Sequence, residues 1–141
     1  MADFHYARGR IIETINFIAL EMAEFEADYA GITKEQYHAD RKLQKLADRT
    51  VENAITALIE LAGALLSEAE IQADSYADAL SKAGSLLKLT PEETEILSRF
   101  ASHRNRLAHR YLNFRFEVIG HFNKNIPLIK KVLKLILNAE K

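Results

Sequence analysis

Between His103 and Arg110 the chain carries two histidines and three arginines within eight positions, in the run Ser102-His103-Arg104-Asn105-Arg106-Leu107-Ala108-His109-Arg110-Tyr111. A solvated helix face usually mixes Lys with Glu instead. Imidazole titrates near neutrality and can take or give a proton. A guanidinium offers a planar fork of donors that fits a phosphate. Side chains of these types, so close together, suit proton transfer at a phosphate ester.

Arg104 is also out of place. The helix that holds it has its apolar residues at Leu97, Phe100, Ala101, Leu107, Ala108 and Tyr111. At 100° per residue these fall within about 120° of arc, and Arg104 lies near the centre. A charge buried there without a partner costs several kcal/mol. Either Arg104 pairs with a buried carboxylate, or the face opens on a cleft or a subunit interface. Arg104 and His109 are five apart, about 140° around a regular helix. They converge only if the helix ends before His109, or if a second subunit lays the same segment alongside.

The elements that must position these residues are helical. Five glycines, two prolines and no cysteine in 141 residues favour long helices over a turn-rich β fold. The lack of cysteine excludes a disulfide scaffold, a thiolate zinc site and a cysteine nucleophile. Ile11, Ile15, Ile18, Met22, Phe25 and Tyr29 form one apolar stripe, and Gly31 suits its stop. Thr33 and Gln36 predict a capping box opening a long helix over 33–67, apolar on most sides in its second half. Ser75 with Asp78 starts a short helix to about Leu87. Thr90-Pro91-Glu92-Glu93 combines an N-cap threonine, proline at the first position and glutamate at the third. Asn113 interrupts the pattern. A last helix carries Ile119, Phe122, Ile126, Ile129, Leu133 and Ile136, with Pro127 kinking or restarting it. The expectation is an all-α, up-and-down bundle of four long helices and one short one, with residues 1–141 as a single domain.

Formal net charge is −1, but residues 1–98 hold 9 Lys/Arg against 18 Asp/Glu, and residues 99–141 hold 10 against 2. A strongly basic third of the chain can attract a polyanion, or can dock on the acidic remainder. No charge-free run approaches the ~18 apolar residues of a membrane span, and the first residues have no signal-peptide core. A soluble, cytoplasmic protein is expected.

Arg104-Asn105-Arg106-Leu107-Ala108-His109-Arg110-Tyr111 resembles the RX4HXY motif of the HEPN superfamily, in its HepT-like branch. The resemblance spans about residues 6–138. It includes Ser75-Tyr76-Ala77-Asp78-Ala79, Thr90-Pro91-Glu92-Glu93 and Asn125-Ile126-Pro127-Leu128-Ile129. It implies a helical homodimer with two motifs facing across a cleft, acting as a metal-independent endoribonuclease toxin on RNA (mRNA or tRNA). It implies a cognate minimal nucleotidyltransferase antitoxin that attaches AMP to the motif tyrosine. Carried over, Arg104 and His109 are the catalytic pair, supported by Asn105. Tyr111 is the modification site. His103, Arg106 and Arg110 are placed at the substrate, and no metal or cofactor is implied. Where the family often has acidic residues after the tyrosine, Asn113-Phe114-Arg115-Phe116 follow here.

The chemistry is self-consistent. A ribose 2′-hydroxyl attacks the adjacent phosphorus, leaving a 2′,3′-cyclic phosphate and a 5′-hydroxyl. Imidazole, with an ordinary pKa of about 6.5, can be the base, and the second subunit's copy the acid. A guanidinium can hold the non-bridging oxygens. The alternative is a non-catalytic nucleotide-binding subunit of a minimal nucleotidyltransferase; a third reading is a structural helical dimer. Glu35-Gln36-Tyr37-His38 has the E-x-x-H spacing of di-iron bundles, but those need two such motifs and two more glutamates. His5 and His121 read as isolated surface residues.

Overall fold

The computed structural model describes the backbone of residues 2–139 and side chains from residue 10 to 139; the side chain of His5 lies outside them. Among the described residues there are seven helices and no strand: α1 (Ala2–Asp28), α2 (Lys34–Ala39), α3 (Arg41–Glu68), α4 (Tyr76–Leu86), α5 (Pro91–Ala108), α6 (Arg115–Lys124) and α7 (Ile126–Ala139). The all-α expectation holds. α1, α3, α5 and the α6–α7 column are the four long uprights, and α4 is the short helix.

α3 is the central element, packed against α1, α2, α4, α5 and α6. It buries Val51, Ala54, Ile55, Leu58, Leu61, Ala62 and Leu65. By length and composition α3 could cross a membrane, but most of its apolar window is buried inside the fold. The stripe on α1 buries Ile11, Ile15, Ile18, Met22 and Phe25 as expected. Phe25 meets Phe122 edge-on at 5.1 Å, which ties α1 to α6. α5 is started by the Thr90 capping box with Pro91 in its first turn. It lies against α4 at close range: a Cβ on Gly84 would come within 2.9 Å of the Thr94 hydroxyl oxygen.

One helix expected to be continuous is broken, and the last helix restarts near Pro127, where a kink or restart is expected. The helix over 33–67 divides at Asp40, whose backbone is extended (φ −122, ψ 101) and whose carboxylate accepts from the Leu43 N–H at 3.0 Å. Asp40 ends one helix and caps the next. The break allows α2 to turn Tyr37 into the core, where its hydroxyl donates to Asp48 at 2.6 Å. The last helix divides at Asn125, and α7 restarts with Pro127 in its first turn, where no backbone N–H is needed.

His121, read from the sequence as a surface residue, is half-buried. Its ring packs on His103 at 4.5 Å and on Phe100 at 5.4 Å. It lies one turn after the buried Val118 on α6, and its partners are on α5, a contact between elements that sequence spacing does not show.

Candidate active site

The end of α5 resolves the helical-wheel difficulty. The helix stops at Ala108, and His109 is its C-cap with non-helical backbone (φ −100, ψ 85). Its N–H still donates to the Asn105 carbonyl at 3.1 Å, and its own carbonyl accepts from Leu112 N–H at 2.9 Å. The imidazole is therefore swung off the helix register and exposed. Tyr111, placed on the apolar face by periodicity, lies beyond the helix end and is 81% accessible; Ala108, the last helical residue, is exposed as well. The rings of His109 and Tyr111 lie 5.8 Å apart, tilted by 53°.

Arg104 is half-buried, and no carboxylate pairs with it among the described residues. Its Nε donates to the Thr56 hydroxyl of α3 at 3.3 Å. Of the two readings left open by the sequence, the described residues show the open cleft and no carboxylate sealing Arg104. Arg104 lines two adjoining solvent-open depressions of about 530 Å³ each, which share Thr56 and Glu60. One runs to α1 (Arg10, Glu13, Phe17), and the other to the start of α4 (Asp74, Ser75, Tyr76). His109 lines neither. Neither of these two described depressions, then, holds both the guanidinium and the imidazole.

The remaining residues of the run have distinct placements. Asn105 is exposed one position from Arg104. Arg106 Nη1 donates to the Asn113 carbonyl at 2.8 Å and so braces the turn that carries His109 and Tyr111. His103 packs on Phe100 and His121. Burial, then the nearby His121, Arg99 and Arg106, lower its pKa to about 4. It is neutral at pH 7 and brings no charge to a phosphate.

Arg110 reaches Asp48, a fully buried carboxylate on α3. Arg110 Nη1 lies 3.0 Å from Asp48 Oδ2, and Arg115 Nη1 donates to the same oxygen. Tyr37 donates to the other oxygen. Burial pushes the Asp48 pKa above the usual carboxylate value, against the pull of Tyr37 and the two guanidiniums. Arg110 and Arg115 bracket residues 111–114, so one buried carboxylate pins both ends of the segment that displays Tyr111. Phe114 closes that segment in a left-handed conformation (φ 68, ψ 22), exposed and without a side-chain cap. For a phenylalanine this conformation costs roughly 1–2 kcal/mol, and the clasp is what holds it.

Residues 11–136 match the family model described as Ribonuclease HepT-like. The chain belongs to the HepT-like ribonuclease family. A comparison with curated proteins returns no match. In this HepT-like chain the sequence run identified the cleft residue and the helix-end residue. Asp48, Tyr37 and Thr56 were not identified. Asp48 had a usable signal: it stands on the same face as Val51 and Ile55, the kind of misplacement that singled out Arg104.

Proposed function

We propose that the protein is a metal-independent endoribonuclease of HEPN type, working as a homodimer. The observation that carries this is Arg104: a half-buried guanidinium without a carboxylate partner, on the floor of a solvent-open cleft, in a chain of a ribonuclease family. Its fork of donors is open to solvent and fits the oxygens of a phosphate.

His109 serves as general base or acid, and positioned proton transfer of this kind contributes roughly 10²–10⁴-fold. Arg104 stabilises the charge that develops on the non-bridging oxygens, at roughly 3–4 kcal/mol for a preorganised donor. Asn105 supports the pair. Because His109 lines neither of the depressions that Arg104 lines, the site proposed is composite: Arg104 of one protomer works with His109 of the other. The 2′-hydroxyl attacks phosphorus and its proton passes to one imidazole; the leaving 5′-oxygen takes a proton from the second imidazole or, where only one is present, from water at a reduced rate. DNA, lacking the nucleophile, resists.

The biological role proposed is that of a toxin acting on cytoplasmic mRNA or tRNA. A minimal nucleotidyltransferase antitoxin transfers AMP to Tyr111, whose phenol is the most accessible large side chain of the segment. The test is complementation. Arg104→Ala and His109→Ala proteins, each inactive alone, regain part of the cleavage when mixed and allowed to exchange subunits. Failure to regain it, with mixed dimers demonstrated by mass, overturns the composite site.

A further inference from the structure

A basic depression adjoins the Asp48 clasp, and Arg110 and Arg115 belong to both. It encloses about 380 Å³ and is lined by His38 of α2, Arg41 and Gln44 of α3, Arg110, and Arg115 of α6. No carboxylate lines it. Beneath it, Arg110 and Arg115 both turn an Nη1 to one oxygen of Asp48. Their Nη2 atoms each lie 3.5 Å from the single Gln44 side-chain oxygen. One carboxylate neutralises one of the two guanidiniums and leaves a net positive charge at a site where Arg115 is 15% exposed. Arg41, on the same helix as Gln44, adds a third guanidinium to the lining, with no ion pair among the described residues. Each guanidinium presents five donors, and neither Asp48 nor Gln44 can satisfy those of two arginines. The depression thus has surplus positive charge, surplus donors and room.

We propose that this depression is a phosphate-ester site that grips the RNA strand beside the cleavage centre. Arg110 is the residue after His109, and about 6 Å of helical rise separates Arg104 from the end of α5. On this proposal a strand whose scissile phosphate lies at His109 runs on past Arg110, the next residue in the chain, and its neighbouring phosphates meet Arg110, Arg115 and Arg41. Phe114, adjacent to Arg115, is 66% exposed, and an exposed aromatic ring offers a stacking face to a base. This combination of guanidinium fork and aromatic ring fits a nucleotide unit rather than free phosphate. Only the identity of the ligand rests on the ribonuclease reading; the phosphate site stands on its own geometry.

The test uses the full-length protein with two probes. Inorganic phosphate is titrated while the side-chain Nε–H resonances of Arg110 and Arg115 are followed by NMR. Both shift saturably if the site exists, and the absence of any shift overturns it. A fully 2′-O-methylated, uncleavable RNA octamer is then bound at several salt concentrations. Arg41→Ala should weaken binding several-fold and reduce the magnitude of the log–log salt slope by about 0.7, the value for one single-strand phosphate contact. Lys134→Ala, on the exposed side of α7, should leave both quantities unchanged. Equal effects of the two substitutions would mean diffuse charge and overturn the site. AMP that competes with the octamer supports recognition of a nucleotide unit; competition by inorganic phosphate alone overturns the RNA assignment but not the anion site. Loss of all RNA cleavage by the wild-type protein, with these bindings intact, would overturn the ribonuclease reading and leave the phosphate site standing.

Discussion

Replacing Asp48 by alanine is the most informative single perturbation of the fold around the site. It removes a carboxylate with no solvent exposure that accepts from Tyr37, Arg110 and Arg115. Arg110, 35% exposed, can turn to water, but Arg115 at 15% cannot do so fully. Removing one partner of a buried pair costs about 3–5 kcal/mol. The Tyr37 hydroxyl left without an acceptor accounts for roughly 1–3 kcal/mol of the penalty, and the two overlap because they share one carboxylate. For a domain of this size a loss of about 3–5 kcal/mol lowers the melting temperature by roughly 10–20 °C. Asp48→Asn keeps an acceptor for Tyr37 and should cost about half as much. The assay is urea denaturation of wild type, Asp48→Asn, Arg115→Gln and the double variant, with hydrogen exchange at the Leu112 and Arg115 amides. Coupling between positions 48 and 115 should exceed about 1.5 kcal/mol, and exchange should quicken selectively across residues 109–115. A cost for Asp48→Ala below about 1 kcal/mol, or strict additivity in the cycle, would refute the clasp.

Three further outcomes are expected. His103 is held neutral by burial, so its folded pKa of about 4 lies below the ordinary 6.5; the stability it contributes is present above about pH 6.5 and is lost as pH falls toward 4. His103→Phe should flatten the fall in urea midpoint across that window, and an unchanged pH profile would contradict the assignment. Gly84→Ala brings a methyl within 2.9 Å of the Thr94 side chain; despite the better helix propensity of alanine it should destabilise by about 1–2 kcal/mol, read from chemical denaturation. Tyr111→Phe should cleave RNA as wild type does but accept no AMP from a nucleotidyltransferase, and AMP found on that variant by mass spectrometry would remove Tyr111 from its proposed role.

Much of the fold was legible because the signals were local. The stripe on α1, the Thr33, Ser75 and Thr90 caps, and the Pro127 restart each depend on residues within one or two turns. The break at Asp40 was not legible. A long helix across it satisfies every local rule, and the contact that favours breaking it, Tyr37 to Asp48, joins two helices. Arg104 was legible as a misplaced charge, and among the described residues it meets an open cleft and the Thr56 hydroxyl, not a carboxylate. His103 and His121 could not be paired from sequence, since their contact crosses from α5 to α6. Arg110 illustrates the same boundary: residue type places it at a phosphate, whereas its main partner is a carboxylate 62 residues earlier in the chain.

The central claim is that Arg104 and His109 catalyse attack of the ribose 2′-hydroxyl without a metal. The most direct measurement is the chemistry of the cut ends, from single-stranded RNA incubated with purified protein in EDTA and analysed by mass spectrometry. The account predicts 2′,3′-cyclic phosphate and 5′-hydroxyl ends, absent with Arg104→Ala and with His109→Ala. Fragments ending in 3′-hydroxyl and 5′-phosphate, or cleavage that appears only when a divalent metal is restored, would contradict it.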